Sequence, residues 1–306
     1  MEYIGIDLGS NSLRAVRMDK DLKSKGEYEC TIRISEELQS KGIIGERAIN
    51  RLLEALYELK RVLKITQEDR IFAITTEAMR KARNKEEVLK LCLKKCGISF
   101  KIISGEEEAR LTALAPKRAL KEISKKNKEF QKDCYVVVDM GGASSEFIFC
   151  KNQEIFAKSF KIGIVTAKDR YQNLQGLLEN KQEILKPIVE FVKKAKKEGF
   201  NAEFLIANSG IPTSIYAFKV GLENYHKIKY EGAKLTQEDF LEQLAKFLSL
   251  SLLQKIELVG KYRADVIDIG VYLFLFFMEA LGFSEVLVMD EGLREGVVID
   301  ALEAIS

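Results

Sequence analysis

Short apolar stretches, each broken by glycine or a cluster of charge, set the rhythm of the first third of this 306-residue chain. Residues 3–8 and 13–18 read as strands, with 27–34 as a third. From Glu46 to Lys64 the spacing changes. Ile49, Leu52, Leu53, Leu56, Leu59 and Leu63 recur every three or four residues, which predicts a helix. Residues 70–76 return to a strand pattern. Asn84 followed by Glu87 reads as a capping box that opens a helix to Cys96. A strand at 99–104 then leads into a helix that starts at Gly105 and ends near Pro116.

Residues 117–132 are densely charged and read as a connection between domains. The plan then repeats. Strands are predicted at 136–138, 145–150 and 155–160, with helices near 182–197. A strand at 203–207 enters a turn at 208–212, and a helix follows. Further helices are predicted at 236–253, 265–281 and 291–305, with a strand at 286–289. Three antiparallel strands and then alternating helix and strand, done twice, predict an α/β protein of two similar domains flanking a cleft. The expected domains are 1–118 and 119–306, with the last helix, about 292–306, packing back on the first.

The repeat is visible in the residues themselves. Tyr3-Ile4-Gly5-Ile6-Asp7-Leu8-Gly9-Ser10-Asn11-Ser12 is echoed by Val136-Val137-Val138-Asp139-Met140-Gly141-Gly142-Ala143-Ser144-Ser145. Each copy is an apolar strand carrying Asp, a glycine turn with small hydroxyl residues, and a returning strand. Glycine in such a turn allows positive φ and close approach of a ligand. Successive backbone N–H groups form an anion-binding concavity. Gly9, Ser10, Asn11 and Ser12, with Gly141, Gly142, Ala143, Ser144 and Ser145, are therefore candidate phosphate-binding residues. Two such turns can hold one polyanion from both sides.

Charge narrows the partners. Lys and Arg number 49 against 46 Asp and Glu, a net charge of +3, and aromatics are not interleaved with the basic residues. No nucleic-acid partner is expected. The most apolar stretch, 266–281, contains Asp268 and Glu279 and is too short to span a bilayer, so no membrane association is expected. Met1-Glu2-Tyr3 enters a strand at once, without the flanks of a targeting signal. The five cysteines are scattered, with no CxxC pair, and the single histidine, His226, is remote from all of them. Zinc is not expected, and reduced cytoplasmic thiols are.

Asp7 and Asp139 sit where strands end. Two carboxylates facing phosphate oxygens require a cation, so they are the candidate Mg²⁺ ligands, directly or through water. Arg80 follows a strand and opens a helix, a position from which guanidinium can stabilise a transferring phosphoryl group. Gly105-Glu106-Glu107-Glu108 begins a helix, where acidic residues are expected for dipole reasons alone. On this ground the three glutamates are equivalent.

These residues together resemble one family. Asp7-Leu-Gly-Ser-Asn-Ser12, Thr76-x-Ala78-x-Arg80-x-Ala82-x-Asn84 and Ser104-Gly105-x-Glu107-Glu108-Ala109-Arg110 stand in the order found in the exopolyphosphatase/guanosine pentaphosphate phosphohydrolase (Ppx/GppA) family. So do Asp139-x-Gly141-Gly142-x-Ser144-Ser145-Glu146, Arg263-Ala264-Asp265-x-Ile267 and Gly292-Leu293-Arg294-Glu295-Gly296. The resemblance implies two actin-like, ribonuclease-H-like domains. It also implies Glu108 as catalytic base, Arg80 as phosphate contact, and Glu146 beside Asp139 as the acids that position metal or water. Two places depart from the pattern. Ala143 replaces a third glycine and requires φ < 0, and the turn at 209–214 reads Ser-Gly-Ile-Pro-Thr-Ser.

The activity implied is hydrolysis of a terminal phosphoanhydride with Mg²⁺, on guanosine pentaphosphate or inorganic polyphosphate, the nucleotide being slightly preferred. A kinase on the same fold is one alternative. A slow or non-catalytic sensor of guanosine tetra- or pentaphosphate or polyphosphate is another. The expected partner is thus a small-molecule or linear polyanion, and a homodimer is compatible with the sequence.

Overall fold

Ile4, Ile6 and Leu8 point to one face of a central strand and Tyr3, Gly5 and Asp7 to the other, because side chains alternate along a strand. In the computed structural model, which describes residues 1–221 and 232–304, both faces are covered. The chain divides into two compact units, Met1–Ala115 with Glu291–Ser306, and Pro116–Asp290.

The first unit holds β1 (Tyr3–Leu8), β2 (Ser12–Met18), β3 (Ser24–Thr31), α1 (Leu38–Lys41), α2 (Glu46–Val62), β4 (Arg70–Thr75), α3 (Glu77–Lys81), α4 (Lys85–Cys96), β5 (Phe100–Ile102) and the start of α5 (Gly105–Lys126). Its sheet has the order β3-β2-β1-β4-β5. The first three strands are antiparallel, and β4 and β5 run parallel to β1. Ile4, Ile6 and Leu8 pack with Leu52, Leu56 and Leu59 of α2 and Val88 and Cys92 of α4.

The second unit contains β6 (Cys134–Met140), β7 (Ser145–Lys151), β8 (Glu154–Phe160), α6 (Ile164–Tyr171), α7 (Leu174–Glu179), α8 (Lys181–Lys197), β9 (Leu205–Asn208) and α9 (Gly210–Val220). After the segment 222–231 come β10 (Lys234–Thr236), α10 (Gln237–Ser249), α11 (Leu252–Val259), α12 (Lys261–Ala264), α13 (Ile267–Leu281) and β11 (Glu285–Met289). The sheet order is β10-β11-β9-β6-β7-β8. β6, β7 and β8 are antiparallel, while β9 and β11 continue parallel to β6. The first five-strand order is thus repeated, with β10 added as an antiparallel edge. Each unit therefore has the sheet topology expected of a ribonuclease-H-like domain, three antiparallel strands followed by two parallel ones. The last helix, α14 (Leu293–Glu303), returns to the face of the first sheet that carries Tyr3, Val16 and Met18.

Three local expectations need correction. α5 does not stop near Pro116 but continues to Lys126. Proline in a helix interior costs roughly 3 kcal/mol. Leu120 and Ile123, buried beyond it, each return about 1.5–3 kcal/mol and prolong the apolar stripe. Asn84 does not cap α4 through its side chain. Its amide is bonded to both backbone groups of Ile44 instead, at 2.9 Å each, which fixes the entry to α2. The helix expected over 236–253 breaks after Ser249, because Ser251 and Gln254 form a capping box that starts α11. Small helices α6 and α7 and strand β10 escape a reading by periodicity, being too short to complete a pattern.

The cysteines in the described residues are free thiols. His226 lies outside the described residues. Burial pushes the thiols of Cys92 and Cys150 up to about 12, so neither is a thiolate at neutral pH. Iodoacetamide at pH 8 should therefore leave both unlabelled in the native protein and modify both after denaturation, as read by peptide mass spectrometry. Native labelling of either residue within minutes would contradict this packing.

Candidate active site

The first turn of the duplicated motif is closed by the Gly9 N–H donating to the Ser12 carbonyl at 3.0 Å, and its counterpart by Gly141 N–H to Ser144 at 2.9 Å. The two hairpins are equivalent in detail. Asp7 pairs across the ladder with Arg14, and Asp139 with Glu146. Each Asp is thus one residue before the end of its strand.

The glycines do not act through a left-handed backbone. None of Gly9, Gly141 and Gly142 has positive φ, and neither does Ala143. The positive-φ expectation for these turns is therefore corrected, and alanine is accommodated at 143. What the second turn requires is room. A Cβ on Gly141 would lie 3.2 Å from the Ser144 carbonyl oxygen. One on Gly163, just before α6, would strike the backbone of Gly141 and Gly142.

The carbonyls of both turns are tied into the protein. Ser10 accepts from Ser35 N–H at 3.3 Å, and Asn11 from Ile32 and Arg33 N–H at 2.9 and 2.8 Å. In the second turn Gly141 accepts from Ile164 N–H at 3.0 Å, and Gly142 from Val165 and Thr166 N–H at 2.8 and 3.2 Å. A trans peptide places its C=O and N–H on opposite sides. The N–H groups of Asn11, Gly142 and Ala143 consequently point away from these anchors. Ser10 and Ser144 are buried in the turns. Ser145 is fully buried and donates its hydroxyl to the Ile162 carbonyl at 2.6 Å, which commits it to holding the loop.

The three glutamates of α5 have different surroundings. Glu106 is exposed, and Glu107 pairs with Lys101 at 2.7 Å. Glu108 is buried, 7% exposed, and its Oε2 accepts from Arg80 Nη1 at 2.9 Å. Ser104 sets the start of this helix, its hydroxyl accepting from Glu107 N–H at 3.1 Å. Arg80 also donates to the Ile103 carbonyl at 2.6 Å and, from Nε and Nη2, to Glu77 Oε2 at 3.3 and 3.1 Å. Burial alone would raise the Glu77 carboxyl. Hydrogen bonds and charge from Lys81 and Arg80 outweigh it and hold the group below its ordinary value. Arg80 is thus bonded between two carboxylates and a carbonyl, and brings Glu77, Ile103 and Glu108 together.

In the second unit Glu146 is 4% exposed and accepts from Ser159 Oγ at 2.7 Å. Asp139 and Glu146, as directly opposed residues, share one sheet face. Sequence reasoning missed Glu77 and Ser159, which orient Arg80 and Glu146. It also passed over Asn208, at the end of the parallel strand beside β6. Asn208 Nδ2 and Ser209 Oγ are buried without a hydrogen-bond partner among the described residues. A small amide or hydroxyl at the carboxyl end of a parallel strand is the signal that could have found them.

Among the described residues no group of three or more His, Cys, Asp or Glu gathers as a metal cage. Mg²⁺ seldom uses one. It takes one or two carboxylates, water and substrate phosphate. A single aspartate beside each N–H-lined turn is a donor set that fits it.

The same architecture occurs in known proteins. An exopolyphosphatase from Cytophaga hutchinsonii superposes with a TM-score of 0.84 at 20% identity, over 100% of this chain and 99% of that one, a likeness of fold. The type II variant of the Aquifex aeolicus Ppx/GppA phosphatase gives a TM-score of 0.70 at 25% identity, over 98% and 99%. A guanosine-5'-triphosphate,3'-diphosphate pyrophosphatase of Photobacterium profundum is 26% identical over 98% of this chain. The chain spans only 59% of that curated relative's length. The model of the Ppx/GppA phosphatase family matches residues 21–304, which takes in Arg80, Glu108 and the whole second hairpin, and on that match the chain belongs to the Ppx/GppA phosphatase family.

Proposed function

We propose that this protein hydrolyses the terminal phosphoanhydride bond of guanosine pentaphosphate, inorganic polyphosphate or both. The observation that carries the reading is the burial of Glu108 against Arg80, alone among the three glutamates of its helix turn. A carboxylate held in one orientation can accept a proton from an attacking water or orient it for in-line displacement. The N–H groups of the two turns, with Ser10, Asn11, Ser12 and Ser144, are suited to bind non-transferring phosphate oxygens. Glu146, fixed by Ser159, is suited to orient water or metal-bound groups together with Asp139. Asp7 and Asp139 would hold Mg²⁺, whose contribution when bound is to neutralise phosphate charge.

Two similar proteins support this reading on both sides of the substrate question, one a guanosine-5'-triphosphate,3'-diphosphate pyrophosphatase and one an exopolyphosphatase. Phosphate release should be compared on guanosine pentaphosphate, polyphosphate and ATP, with 5 mM Mg²⁺ (on the order of a cellular excess) or with EDTA. Release from the first, the second or both, little from ATP, and loss of at least about tenfold in EDTA are expected. Full activity in EDTA would remove the metal. Turnover of ATP alone, dependent on an acceptor alcohol, would point to a kinase. Binding without release would point to a sensor.

A further inference from the structure

α14 touches backbone on two sides, and each contact depends on a glycine. A Cβ on Gly5 of β1 would fall deep inside contact distance of the Arg294 carbonyl oxygen and 2.9 Å from Val298 Cγ2. A Cβ on Gly296 of α14 would do the same to the Leu111 carbonyl oxygen of α5, and lie 2.8 Å from its carbonyl carbon. Strand, helix and helix therefore stack main chain against main chain, with no side chain as spacer. Neither glycine has positive φ, so backbone freedom does not explain them. Glycine in a helix interior costs about 1 kcal/mol relative to alanine, which close approach must offset.

The stack joins two proposed functional groups within the first unit. Gly5 lies two residues before Asp7, on the same sheet face, and Leu111 lies three residues after Glu108. It is also clasped at both ends. Arg110 Nη1 bonds Asp300 Oδ1 at 2.6 Å, tying α5 to α14. At the start of α14, Glu295 accepts from Gly292 N–H at 2.8 Å and from Arg294 Nε at 2.5 Å, while Arg294 Nη2 reaches Glu27 of β3 at 3.0 Å. Between the clasps, Ile74, Ile103, Leu111, Leu293 and Val297 form one apolar cluster.

We infer that Gly5 and Gly296 are positioning residues that set the spacing between the Asp7 strand and the Glu108 helix. The inference rests on the proposed hydrolysis with Glu108 activating water. A methyl group at 296 would force α5 and α14 apart by roughly 1.3–1.6 Å, since carbon and carbonyl oxygen settle near 3.3–3.6 Å. A displacement of that size at a reacting group costs about a hundredfold in rate.

The test uses Gly296→Ala and Gly5→Ala, with Glu108→Gln alongside, on whichever of guanosine pentaphosphate or polyphosphate the wild type hydrolyses. The folded fraction is taken from circular dichroism, and kcat is expressed per folded molecule. A fall in kcat of about thirtyfold or more, with KM within about threefold, is expected for each glycine variant. Folded Gly296→Ala with kcat within about threefold of wild type would overturn the inference. Should the glycine variants not fold, the surface clasp supplies the reading. Arg110→Asp and Asp300→Arg should each lower kcat about threefold at constant KM, and the double charge swap should restore it. Unchanged singles, or a swap that restores nothing, would overturn it. An inactive Glu108→Gln beside a fully active Gly296→Ala rejects the positioning alone. An active Glu108→Gln rejects the hydrolytic reading, and the inference falls with it.

Discussion

Glu108→Gln should lower kcat by about a hundredfold or more while KM stays within about threefold. The substitution keeps the shape of the side chain, and its carbonyl oxygen can still accept from Arg80 Nη1, which lies 2.9 Å from Oε2 in the wild type. What it removes is the ability to take a proton from water. Loss confined to kcat is the signature of a group that acts in the transition state rather than in ground-state binding. The neighbours provide internal controls. Glu106 is exposed and Glu107 is paired with Lys101, so Glu106→Gln and Glu107→Gln should retain kcat within about threefold. The melting temperature of Glu108→Gln should change little, since Arg80 keeps Glu77 and the Ile103 carbonyl. Three variants of equal activity would show that the base lies elsewhere.

That the three glutamates divide so sharply was hidden from composition. All three are favoured at a helix N-terminus by the same dipole. Their separation depends on long-range packing, in which α3 delivers Arg80 to the one glutamate that faces the core. The hairpins were legible for the opposite reason. Strand, turn and returning strand are local, and the duplicated Asp and glycine positions fell into equivalent registers, Asp7 opposite Arg14 and Asp139 opposite Glu146. Their glycines were identified correctly as turn residues but for a backbone reason the structure does not use. In the second turn close approach takes its place, of Ser144 within the turn itself and of Gly163 at the α6 entry, and only the latter comes from a partner outside the hairpin turn.

The last helix illustrates the same limit. Residues 291–305 show a helical pattern, yet almost every side chain from Leu293 to Ile299 is buried, charged Arg294 and Glu295 included. A helix buried all round gives no amphipathic stripe to orient it. Only the chain's return to the first sheet shows why Gly296 stands in its interior. Of the charged 117–132 segment, read from sequence as the connection between domains, the part up to Lys126 belongs to α5 for a related reason. Leu120 and Ile123 suffice to keep it helical once they have a surface to pack on.

Arg80 is where resemblance and geometry suggest different tests. The family pattern implies a phosphate contact, whereas in the structure its Nε, Nη1 and Nη2 donate to Glu77, Ile103 and Glu108. Arg80→Ala removes the cation shared by two largely buried carboxylates, with side chains 16% and 10% exposed. Their protonated forms are then favoured, because desolvation is no longer opposed by that charge. The acid limb of the pH–kcat profile should move to higher pH, and kcat at neutral pH should fall by about a hundredfold. Arg80→Lys keeps the charge but cannot reach three acceptors in fixed geometry, so an intermediate loss of about tenfold is expected. A purely phosphate-binding arginine would act otherwise. Its removal would raise KM and leave the acid limb in place, since Glu108 would not depend on it. Measuring kcat and KM from pH 5 to 9 (roughly the span between the carboxylate and lysine ranges) separates the two roles. An unshifted profile with a large rise in KM would assign Arg80 to the substrate alone. A shifted profile with kcat depressed would assign it to the orientation of Glu108.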